Sequence, residues 1–125
     1  MSDYTVKRIE DMQAGFGGSF VKVRAELGVS AFGMQVIQLP PGYEGYPEHD
    51  HAESGQEEVF VALSGSGSIE IGGERVELDS ETLVRVAPEA RRKVVAGPDG
   101  LRMLVVGGCP GEAYKIVPMT ELEPA

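Results

Sequence analysis

The 125 residues carry 11 Lys+Arg against 20 Asp+Glu, a formal charge of −9. A surface of that sign repels nucleic-acid phosphates and anionic membranes, which excludes both as general partners. No apolar run approaches the ~20 residues of a membrane span, and the N-terminal MSDYTVKRIED lacks the apolar core of a secretory leader.

Seventeen glycines and eight prolines lie scattered between short apolar runs, the punctuation of many short strands and tight turns. Residues 1–18 read as an arm laid against the domain. Over 19–27, Val21, Val23, Ala25 and Leu27 alternate like a strand. Phe20, Val23 and Leu27 also fit a helical stripe with Gly28 as its C-cap, and a short helix is the expectation. Residues 31–39 (AFGMQVIQL) predict a strand stopped by Pro40, Pro41 and Gly42. After a polar, acidic stretch from Tyr43 to Gly55, residues 57–63 (EEVFVAL) predict a strand ended by Ser64-Gly65-Ser66-Gly67. Residues 68–71 run into a Gly72-Gly73 hairpin turn, and 75–78 return. Residues 82–87 (TLVRVA) stop at Pro88. Lys93–Ala96 and Leu101–Val106 are expected as two strands separated by a turn at Gly97-Pro98-Asp99-Gly100, and the tail from Gly107 is irregular. The pattern predicts an all-β antiparallel sandwich or barrel. It occupies one domain, 1–125, with a barrel core at about 31–106 and a tail at 107–125.

The chain has two histidines, His49 and His51. Residues two apart on extended backbone point the same way, so both imidazoles can face one cavity. Glu58 opens the next strand on the face of Phe60 and Ala62, where an unpaired carboxylate would be costly to bury. Two neutral imidazoles and one carboxylate are a common ligand set for divalent transition metals. Glu44, Glu48, Asp50, Glu53 and Glu57 crowd the same stretch, with Glu57 a rival ligand on the opposite face. The competing reading is a solvated acidic loop in which the two histidines are chance neighbours.

The stretch GYPEHDHAESGQEEVFVALSGSG resembles the first motif of cupins: a glycine, H-x-H, a loop (here somewhat long), a glutamate, six residues and a glycine, Gly65. The segment TLVRVAPEARRK resembles a degraded second motif. The resemblance spans about Ala31–Val106. It implies a double-stranded β-helix of the jelly-roll type, often a homodimer, with a metal (Fe, Mn, Ni or Zn) held by His49, His51 and Glu58. The second motif departs from the pattern. Counting from Pro88 puts Lys93 in the place of the family's further histidine, Ala90 in that of a glycine, and Thr82 where the motif opens with glycine.

Lys93 and Val95 share one strand face, Arg92 and Val94 the other. An inward Lys93 would pair with Glu58 and fill the space of a metal, leaving a metal-free barrel. A register slip would turn Arg92 inward instead. Either cation could receive an anionic substrate, and an exposed basic turn is the plain alternative. Tyr46 and Phe60 are candidate pocket residues that could equally just pack. Gln38 is a candidate polar contact or a satisfied core amide. Cys109 reads as structural, and a lone cysteine fits a reducing cytoplasm. The function expected is binding or conversion of a small molecule, an anionic one included. The readings left open are a metal-dependent oxygenase or isomerase, a non-catalytic binding module, and the metal-free barrel.

Overall fold

The computed structural model describes residues 3–124, so the outer ends of the expected arm and tail, Met1, Ser2 and Ala125, lie outside the described residues. Seven strands form one sheet: β1 (Ala14–Gly15), β2 (Phe20–Val21), β3 (Gly33–Leu39), β4 (Glu57–Ile71), β5 (Glu74–Leu78), β6 (Val84–Val86) and β7 (Arg92–Gly108). Every pairing is antiparallel, in the order β1-β2-β3-β7-β4-β5, with β6 also on β4. Among the described residues one α-helix, α1 (Val23–Leu27), sits between β2 and β3.

Alternation decides which face each strand buries. On β4, Glu58, Phe60 and Ala62 point inward while Val59, Val61 and Leu63 are more exposed. On β7, Val94, Ala96, Leu101, Met103 and Val105 join Phe60, Ile69, Leu78 and Val86 in one core. A smaller cluster of Val21, Val23 and Val36 forms on the other side of β3, where Met34 and Leu104 pack against it. The stretch 19–27 divides between both of its expected readings. Phe20–Val21 is a strand, and the helix follows it, closed by Gly28 at φ 79°, whose N–H donates to the carbonyls of Ala25 and Arg24. That left-handed position is one where glycine carries no Cβ penalty.

Two expected breaks are absent. β4 runs through Ser64-Gly65-Ser66-Gly67, and β7 runs through Gly97-Pro98-Asp99-Gly100. The two irregular stretches face each other: pairing jumps from Gly65↔Leu101 to Gly67↔Ala96. A Cβ on Gly65 would lie 2.1 Å from the Gly100 carbonyl oxygen, and one on Gly67 2.5 Å from that of Val95. The glycines therefore permit a close backbone crossing inside a bulged pair of long strands. Gly72-Gly73 is the expected hairpin turn, with φ of 55° and 88°.

Candidate metal centre

The connection 40–56 stays against the sheet. It returns along the start of β7: Ala96 N–H donates to Tyr43 O (3.0 Å), and His49 and Arg92 exchange backbone hydrogen bonds at 3.0 and 2.8 Å. His51 N–H donates to Pro88 O at 2.8 Å. These bonds give the histidine segment extended backbone, so both imidazoles project toward the open end of the core. Their ring centroids are 5.0 Å apart. Glu58 arrives from β4, paired across to Val86 and Gly107.

One donor atom each from His49, His51 and Glu58 lies within 4.8 Å of the other two. His49 Nδ1 is 2.9 Å from Pro47 O. That bond selects the tautomer with the proton on Nδ1 and leaves the lone pair on Nε2 for a cation. His51 Nε2 is buried with no hydrogen-bond partner, 3.3 Å from Glu58 Oε1. An orphaned imidazole nitrogen beside a carboxylate is what a bound cation would satisfy. The donor set fits a divalent transition metal.

The basic residues are placed differently from the Lys93–Glu58 pairing that counting from the second motif suggested. Arg92 is fully buried and its Nη1 donates to Glu58 Oε1 at 3.2 Å, while Nη2 donates to Ala87 O at 2.7 Å. Lys93 turns the other way, its Nζ donating to the carbonyls of Glu44 (2.7 Å) and Tyr46 (3.1 Å). The reason is phase: Val94 and Ala96 must enter the core, and period two carries Arg92 in with them. Arg91 faces Glu48 and Asp50 at the surface.

A cavity of about 940 Å³ opens above the cluster. Tyr46 lines it, beside His49 at 5.7 Å between ring centroids. Burial pushes its hydroxyl above the usual phenol range, with the Glu58 carboxylate adding and Arg92 opposing. Phe60 instead lies wholly inside the core. Gln38 is on the outer face of β3, its amide donating to Gly18 O at 3.0 Å. Glu57 also faces outward, 3.3 Å from Arg85. Neither Arg92 nor Lys93 is among the described residues that line the cavity.

Other lining residues carried weaker signals. Gln35 shares the inward face of Ile37 and Leu39, but β3 is apolar on both faces, so its phase was ambiguous. Gln56 reaches Glu58 Oε2 at 3.4 Å, and counting back by two from Glu58 would have found it. The C-terminal segment, including Cys109, Tyr114, Ile116 and Met119, lines the cavity too, and its sequence has no periodicity to reveal that.

Neither a protein-family model nor a curated protein matches the chain. Solved structures do. A cupin protein from Bacteroides fragilis superposes with TM-score 0.68 at 23% identity, covering 100% of this chain and 99% of its own. A sugar phosphate isomerase from a cupin superfamily, from Silicibacter pomeroyi, gives TM-score 0.68 at 17% identity over 82% and 74%. A Cupin 2 conserved barrel domain protein from Salinispora arenicola gives 0.54 at 22% over 65% and 66%.

Proposed function

From the premise that this chain is a cupin by fold, we propose that it binds a divalent transition metal through His49, His51 and Glu58 and holds a small molecule in the cavity above it. The observation that carries the reading is the orphaned His51 Nε2, buried beside Glu58 within a three-residue donor cluster. The named neighbour that acts on a sugar phosphate supports a small-molecule ligand. With open positions left, such a metal supplies Lewis-acid polarisation of a ligand oxygen, the chemistry of an isomerase or oxygenase. The residues of this chain contribute the rest. Pro47 O fixes the His49 tautomer, Arg92 holds the Glu58 carboxylate in place, and apolar side chains line much of the cavity. A non-catalytic binding module uses the same residues and differs in turnover alone.

A homodimer in a reducing cytoplasm belongs to the same proposal, supported by the cupin resemblance and the single unpaired Cys109. No described helix is long and apolar enough to cross a membrane. The test of the metal is titration of tag-free protein with Zn, Mn, Fe and Ni by calorimetry and elemental analysis. One equivalent is expected in the wild type and none in His49→Ala. A wild type that takes up none of the four metals rejects the proposal.

A further inference from the structure

The charges around the cavity are unevenly distributed. Among the described lining residues the carboxylates are Glu53, Glu58 and Glu112, and Lys115 is the one ammonium or guanidinium. Glu58 is already matched by Arg92 from behind. The buried cations nearby are committed elsewhere. Lys22 donates to Glu121 O at 2.9 Å, and Arg24 to Glu121 Oε1 at 3.1 Å and Val29 O at 2.9 Å. In metal-free protein a phosphate or carboxylate entering this cavity would meet no buried cation, in a chain of charge −9. The remaining surface is mostly apolar: Phe20 and Ile37 on one side, Ile116, Val117 and Met119 on the other.

That second side is the C-terminal segment, tied at three places. Cys109 Sγ donates to Ser54 O at 3.3 Å near its start. The Tyr114 phenol lies so close to Gly33 that a Cβ there would meet its oxygen at 2.7 Å. At the far end Glu121 takes the Lys22 and Arg24 bonds, and Gln13 and Glu123 exchange hydrogen bonds of 3.0 and 2.9 Å. Between these ties Ile116, Val117 and Met119 are exposed side chains bordering the cavity.

We infer that the cavity selects a neutral molecule with an apolar body and one polar end directed at His49, His51 and Glu58, and that the strap Cys109–Thr120 is the wall that selects it. This deepens the proposed function and rests on its choice of cavity, while the apolar selection itself needs no metal. It also separates this chain from the sugar phosphate of its structural neighbour.

The experiment uses EDTA-treated full-length protein and the neutral fluorophore N-phenyl-1-naphthylamine. Saturable binding is expected, reversed by 1-octanol at a concentration at least about tenfold lower than octanoate, which has the same chain with a charged end. Ile116→Asp and Met119→Asp, both at exposed positions, are expected to weaken the probe about tenfold with unchanged melting temperature. No saturable binding, or octanoate competing as well as octanol, overturns the inference. Unchanged affinity in both variants overturns the role of the strap. Zinc titration of the same preparations keeps the two readings apart. Octanol preference without zinc uptake removes only the metal, and zinc uptake with octanoate preference removes only the neutral ligand.

Discussion

Arg92 and Glu58 meet with guanidinium and carboxylate both shut off from solvent, at 0% and 4% side-chain exposure. Such a pair gains little over apolar residues of the same shape, but halving it strands a buried charge. Arg92→Met is therefore expected to lower the stability of metal-free protein by about 3–5 kcal/mol. Urea denaturation with an unchanged m-value measures it, and Arg92→Met with Glu58→Leu together should recover most of the loss. A single-variant cost below about 1 kcal/mol would mean that water or another group already compensates Glu58. The same pair bears on the metal. The guanidinium holds one carboxylate oxygen 3.2 Å away, and that oxygen is also the one nearest His51 Nε2. Arg92 thus orients the carboxylate without occupying either histidine.

Elements are held by backbone as much as by side chains. The crossing of β4 over β7 depends on Gly67, where a Cβ would sit 2.5 Å from Val95 O and 3.0 Å from Leu101 Cδ2. Backbone cannot yield as a flexible side chain can, so Gly67→Ala is expected to cost on the order of 2–3 kcal/mol, read as a drop in the denaturation midpoint. Gly72 has open space around its Cβ position, so Gly72→Ala bears only the strain of its positive φ, about 1 kcal/mol. At α1, the Glu26 carboxylate accepts from Lys7 Nζ at 2.5 Å and from Gln13 N–H at 2.9 Å, tying the N-terminal segment to the helix. The Lys7 bond, then the Gln13 bond, holds its pKa below the ordinary 4.5. A depressed carboxylate contributes stability above its unfolded value, and that contribution is lost as pH falls through the folded one. Glu26→Gln is expected to flatten the acid side of the stability profile below about pH 5 and to leave the profile above it parallel to wild type. An acid limb of unchanged slope would count against the tie.

At the scale of the whole molecule, the site joins segments far apart in the chain: the connection 40–56, the start of β4 and, behind them, the start of β7. A ligand for this junction stabilises all of them together. Zinc at a hundredfold excess over its dissociation constant is expected to add about 2.7 kcal/mol, seen as a rise of several degrees in melting temperature. His49→Ala should abolish the rise while melting normally without metal. A zinc-induced rise that survives in His49→Ala would place the ion elsewhere.

Local pattern determined much of this. Period-two alternation in EEVFVAL set Glu58 on the buried face, H-x-H on extended backbone set both imidazoles to one side, and Gly72-Gly73 and Gly28 marked a turn and a cap that the chain uses. These are short-range consequences of covalent geometry, so they survive whatever the rest of the chain does. What needed the fold was every relation between distant segments. Whether Arg92 or Lys93 turned inward depended on the demand of Val94 and Ala96 for the core, while counting from Pro88 pointed to Lys93. The runs Ser64–Gly67 and Gly97–Gly100 read as chain breaks because glycine marks turns, yet they face each other as a crossing that either alone cannot disclose. The tail had no periodicity, so its place against Gly33, Lys22 and Arg24 came only from packing, and with it the closing wall of the cavity.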